Sequence, residues 1–152
     1  MSQSTPVECR CDAGMIAGLE SLVIGTLVFV FGTLLIANAW AVVDAKLAVQ
    51  AAAREATRAF VEAGDTDEGW RAASQAAADT IEGHGRNPAT VKLAAPDAVL
   101  GRCASVRFTA SYPVRLLPLS LIGRAGGEMT VSASHSEVVD AHRSGLPGTA
   151  LC

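Results

Sequence analysis

An uncharged apolar run from Ser21 to Val43, SLVIGTLVFVFGTLLIANAWAVV, constrains this chain more than any other feature. As a helix its roughly 23 residues, at about 1.5 Å each, reach about 34 Å, enough to cross a bilayer core of about 30 Å. A single segment can cross lipid only as a helix, because no other conformation satisfies its backbone hydrogen bonds internally. The expectation is a chain anchored in the cell membrane by one span, with lipid as its first partner. Glu20 stands immediately before the run. A carboxylate at that edge carries a desolvation cost, so it either marks the boundary where it reaches water or meets an opposite charge.

Composition limits what the rest can be. Aromatic residues make up 5% of the chain, so any domain after the anchor must build its core largely from small aliphatic side chains. The net charge of −3 comes with no basic run, and nucleic-acid binding, which needs clustered Lys and Arg on phosphates, is not expected. Cys9 and Cys11 precede the anchor, and Cys103 and Cys152 follow it. Outside the cytoplasm a Cys103–Cys152 disulfide is chemically permitted, closing a loop of about 50 residues worth roughly 4 kcal/mol on the chain-entropy model. The alternative is two free thiols. Cys9 and Cys11 have no further ligands nearby, and no metal or other cofactor is expected.

Residues 1–14 read as a disordered leader. Residues 15–63 read as one long helix, transmembrane first and amphipathic later. Leu47, Ala51, Ala59 and Phe60 keep a helical spacing, while Arg54, Glu55, Arg58 and Glu62 occupy other faces. Gly64 is a C-terminal cap. A second, shorter helix opens on Asp65 with Glu68 three residues on and carries Trp70, Ala73, Ala77 and Ile81 at helical spacing. Gly83, Gly85 and Pro88 end it.

The period then changes to two. Val91, Leu93 and Ala95 alternate with other residues, as do Val106, Phe108, Ala110 and Tyr112, and then Met129, Val131 and Ala133. Each pattern predicts a strand with one buried face. The segment VRLLPLSLIG, broken by Pro118, is too short to span a membrane and reads as a loop or a turn of helix. Three short strands cannot bury an apolar face alone, so an antiparallel sheet should pack on the amphipathic helix. The fold class expected is α+β, with an extracytoplasmic domain over 64–141 and a disordered tail over 142–152.

Three segments carry a family resemblance: Gly14-Met-Ile-Ala-Gly18-Leu-Glu20 opening the apolar run, Ala-Ala-Arg54-Glu55-Ala-Thr-Arg58-Ala after it, and Ser-Ala-Ser-His-Ser-Glu137-Val-Val-Asp140-Ala-His-Arg143-Ser near the end. In that order the chain resembles the TadE-like minor pseudopilins of tight-adherence (Tad, or Flp) pili, in their diverged high-GC Gram-positive form. The resemblance implies a pilin-like fold, other pilin-like subunits and the pilus assembly platform as partners, and leader cleavage after a glycine by a prepilin peptidase. It also implies that the glutamate, fifth in the mature chain, meets a neighbouring subunit's amino terminus and fixes register. Here Gly14 and Met15 mark the candidate processing site: a cut after Gly14 makes Glu20 sixth, and a cut after Met15 makes it fifth. The family's proline six residues after the glutamate is replaced by Thr26.

Gly25 and Gly32, seven apart, fall on one helix face and can let another helix approach closely; glycine is also common in membrane helices generally. Arg54, Glu55 and Arg58 read as a solvated face more readily than as partner contacts. His84, His135 and His142 are not in metal-binding spacing, and no nucleophile elbow, Walker-type loop or dinucleotide fingerprint occurs. The function expected is therefore assembly, not catalysis. The competing reading is a secreted binding module: Ala37-Asn38-Ala39 resembles a signal-peptidase site before Trp40. Charges flanking the run slightly favour the opposite topology. The resemblance and the permitted disulfide place the C-terminal domain outside.

Overall fold

The computed structural model describes residues 13–95, 99–117, 127–149 and 151–152, with side chains from Glu20 onward. The leader up to residue 12, with Cys9 and Cys11, lies outside the described residues. So does the part of VRLLPLSLIG from Pro118 on. The fold is α+β. Helix α1 is Ala13–Glu62, α2 is Thr66–Gly83, and a single 3-10 turn, Pro88–Thr90, leads into strands β1 (Lys92–Ala94), β2 (Ser105–Arg115) and β3 (Glu128–Val138). The strands form an antiparallel sheet in the order β1-β2-β3. The chain divides into two units, Met1–Ala37 and Asn38–Cys152.

The second unit holds the core. From α1 it takes Ala45, Ala48, Val49, Ala52, Ala53, Ala56 and Phe60, a single stripe at steps of three and four residues. This corrects the expected stripe, which joined Leu47, Ala51 and Ala59 to Phe60: Leu47 is 56% exposed, and Ala51 and Ala59 are only partly covered. In a run this rich in alanine the apolar period is ambiguous, and the sheet selects the smoothest face because short side chains permit the closest approach. Thr57 lies fully buried in that stripe and donates its hydroxyl to Ala53 O at 2.7 Å, so it leaves no polar group unpaired.

Helix α2 begins where the sequence signals it. Asp65 accepts from Glu68 N at 2.8 Å, while the Glu68 carboxylate accepts from Gly64 N at 3.1 Å, a capping box displaced by one residue. It ends in a Schellman turn: Arg86 N donates to Ile81 O and Gly85 N to Glu82 O, with Gly85 at φ 69°. Its buried face is Gly69, Ala73, Ala77 and Ile81. Trp70, expected in that row, is half-buried, with its ring 5.2 Å from Phe108 and 6.3 Å from Phe60, while Phe60 and Phe108 are 5.2 Å apart. Three of the chain's few aromatics thus share one cluster.

Every inward residue of β2 from Val106 to Val114 is buried. Register pairs Val106 with Glu137, Phe108 with His135, Ala110 with Ala133, Tyr112 with Val131 and Val114 with Met129. His135 and Glu137 therefore sit on the helix-facing side of β3, half-buried, with His135 Nε2 3.1 Å from Glu137 Oε1. Leu116 N donates to Gly127 O and Val139 N to Ala104 O, so the odd residues of β3 bond to β2. Its even residues turn their backbone groups to a free edge, where Lys46 Nζ donates to Ser132 O.

The expected disordered tail also needs correction. Residues 142–149 turn back on the loop before β2: Arg102 N donates to Pro147 O at 2.8 Å, Arg102 Nε to Leu146 O at 2.9 Å, and Leu146 is buried. Cys103 and Cys152 are joined in a disulfide, with Cα atoms 5.4 Å apart. The polar, glycine-rich composition of the tail conceals one apolar anchor, Leu146, and a covalent tie. Arg143 adds a third hold, donating to Glu62 O and Ala63 O and so satisfying carbonyls at the end of α1.

Candidate functional site

Helix α1 is long and apolar enough to cross a membrane, and none of its apolar window is buried within the chain. Leu22, Val23, Ile24, Val28, Phe29, Leu35 and Ile36 all face outward. An uncovered surface of this kind has lipid or other helices as its stable environment. Thr26 and Thr33 donate their hydroxyls to Leu22 O and Phe29 O, each at 2.8 Å, which satisfies these two hydroxyl hydrogens within the helix. Glu20 is exposed at its start. Gly14 and Met15 lie within the first turns of α1, as does the following stretch to Glu20.

A Cβ added at Gly25 or Gly32 would meet nothing of this chain within 4 Å. These glycines are therefore not explained by packing inside the protein. Their common face is a shallow notch on an otherwise bulky helix, which lets a second backbone come close. Beyond the apolar run, Arg54, Glu55 and Arg58 are exposed. Arg58 Nε bonds Glu62 Oε1 at 2.9 Å, and that carboxylate holds the Arg58 pKa above its ordinary value. Arg58 lies on a solvated face.

The structure brings together residues that the sequence reading did not connect. Arg86 Nη2 meets Asp44 Oδ2 at 2.6 Å, bridging the end of α2 to α1, and Arg86 Cζ lies 5.5 Å from the centre of the Tyr112 ring. Arg86 Nε is buried with no acceptor. Beside it a groove of about 450 Å³ is lined by Ala41, Arg86, Tyr112, Arg115 and Glu128, among others. At the same end of this unit Leu117 N donates to Asn38 Oδ1 at 2.7 Å. A second groove, of about 410 Å³, lies between Val61, Glu62, Val138, Asp140, His142 and Arg143. There His142 Nδ1 is 3.6 Å from Asp140 Oδ1, on side chains almost wholly in solvent. His84 is exposed at the end of α2. Among the described residues no group of three or more His, Cys, Asp or Glu is placed to hold a metal ion.

Arg86 was legible only as part of a helix-breaking GHGRNP stretch, because its partner Asp44 lies 42 positions earlier and no local period links them. No family model matches this chain, and neither the curated proteins nor the solved structures give a match.

Proposed function

We propose that this protein is a membrane-anchored, pilin-like subunit of the TadE-like kind, acting in assembly of a tight-adherence pilus by lateral helix packing and not by catalysis. The observation that carries the reading is α1 itself. One helix is apolar and uncovered in its first half, carries a glycine face that the chain's own packing leaves open, and then supports an α+β domain along an alanine stripe. In this reading the chain sits in the cell membrane with its domain outside the cytoplasm, where the Cys103–Cys152 disulfide persists. Glu20 pairs with the amino terminus of a neighbouring subunit, Gly25 and Gly32 set helix approach, and a prepilin peptidase cuts beside Gly14 or Met15.

The amino-terminal sequence of the mature protein tests this directly. A start at Ile16 places Glu20 fifth, and a start at Met15 places it sixth; either supports pilin-type processing. An intact leader leaves a plain anchor and removes the charge partner proposed for Glu20.

One observation favours a second reading. The compact second unit starts at Asn38, almost where a signal-peptidase cut after Ala39 would fall, and its whole core lies beyond that point. A mature chain beginning at Trp40 and recovered from the medium would establish a secreted α+β binding module instead.

A further inference from the structure

The base of the β2–β3 hairpin lies beside the last turns of the apolar run. Leu117 N bonds Asn38 Oδ1, and Ala41 lines the groove that holds Arg86 and Arg115. Asn38 precedes Asp44, the first charged residue after the run, by six positions, about 9 Å along a helix. The headgroup layer on each side of a bilayer is roughly 5–8 Å thick. With the hydrocarbon reaching from Glu20 to Asn38, about 27 Å along a helix, Ala41 and the groove fall at the depth of the headgroups, and Leu117 lies at their inner edge. The exposed side chains there suit that depth: Trp40 is 72% and Leu117 51% exposed, and tryptophan prefers the membrane interface.

The groove has the charges of a headgroup in mirror image. Arg86 gives Nη2 to Asp44, lines the groove and is 18% exposed. Arg115 is exposed beside it, and Glu128 stands opposite Arg115 in the strand register. Two guanidinium groups against Asp44 and Glu128 leave no net charge. A simple anion is therefore a poor match, whereas a phosphate linked to an ammonium group satisfies both signs. We infer that this groove binds the phosphoethanolamine headgroup of a membrane phospholipid, with the phosphate on Arg115 and Arg86 and the ammonium on Glu128. It thereby seats the domain against the bilayer as a second membrane contact besides α1. The inference rests on the membrane-anchored reading above.

The full chain, with Cys9→Ser and Cys11→Ser, is labelled with an environment-sensitive fluorophore at Leu117→Cys or, as a control, at Ser134→Cys on the outer face of β3. It is reconstituted in vesicles of phosphatidylethanolamine and phosphatidylglycerol containing headgroup-depth quenchers. Quenching at 117 and none at 134 is expected; equal signals at both positions overturn the proposal. Lipid retained through detergent purification is read by mass spectrometry. Phosphatidylethanolamine is expected to be retained over phosphatidylglycerol, and Arg115→Gln to lower its retention about tenfold, the loss of one charge-assisted contact. Preferential retention of phosphatidylglycerol, or equal binding of inorganic phosphate without lipid, overturns the assignment. Since Arg115 is exposed, an unchanged helical circular dichroism signal and an intact disulfide show that the variant is folded. Alkaline extraction separates the two levels: a chain released from membranes sinks the anchored reading, while one that stays but shows no quenching at 117 sinks only this inference.

Discussion

Cys103 shows how one residue can carry opposing effects. It is the one non-glycine residue with positive φ among those described, at 61°, and together with Ala104 it opposes Val139 in a bulge-like end to the sheet. A side chain in that region costs on the order of 1 kcal/mol, and glycine would avoid it. Only the sulfur link to Cys152 requires cysteine there. With the disulfide removed, Cys103→Gly/Cys152→Ser is therefore expected to be more stable than Cys103→Ser/Cys152→Ser by about 1 kcal/mol in denaturant unfolding. The alanine stripe gives a second contrast. Ala52 is fully buried under the sheet, and Ala52→Leu should destabilise the domain by about 1–3 kcal/mol through overpacking. Leu47→Ala, on the exposed side, should shift the transition by less than about 0.5 kcal/mol in the same assay. If Leu47 were the more costly site, the assigned stripe would be wrong.

At the scale of elements, the junction of α1 and α2 is set by one close approach. A Cβ on Gly69 would lie 2.9 Å from Phe60 Cδ2 and 3.3 Å from Phe60 O. The Phe60 ring cannot swing aside, because it is fully buried and held between Trp70 and Phe108. Gly69→Ala improves intrinsic helix propensity by up to about 1 kcal/mol, yet the contact with Phe60 opposes it by about 1–3 kcal/mol. Net destabilisation is expected in thermal unfolding, and a raised midpoint would show that the two helices have room to separate. The caps and strands of this region were legible from the chain itself. Asp65, Glu68 and Gly85 act within six residues of their partners, and the alternation in β2 is uninterrupted from Val106 to Val114. The long-range ties were not: Arg86 to Asp44, Arg143 to the end of α1 and Lys46 to the β3 edge join residues that no local pattern relates.

For the whole molecule, the division at Ala37 and Asn38 predicts that the second unit folds without the first. A fragment of residues 40–152 keeps the entire core and the disulfide and loses the Asn38 acceptor for Leu117 N. It should unfold cooperatively, less stable than a longer chain beginning at Asn38 by about 0.5–1.5 kcal/mol for each hydrogen bond removed. A non-cooperative transition would show that the anchor is needed for folding. The sequence by itself determined the apolar span, the two-helix and three-strand order, and the α2 caps, because these depend on composition and short-range periods that any conformation of the chain retains. Only the tertiary structure decided which alanine face of α1 is buried, that the glycine-rich tail is tied back through Leu146 and Cys152, and that Arg86 and Arg115 share a groove beside the end of the anchor. Those outcomes depend on which surfaces come closest in space. An alanine-rich helix with several nearly equivalent faces leaves that choice to the sheet that packs on it.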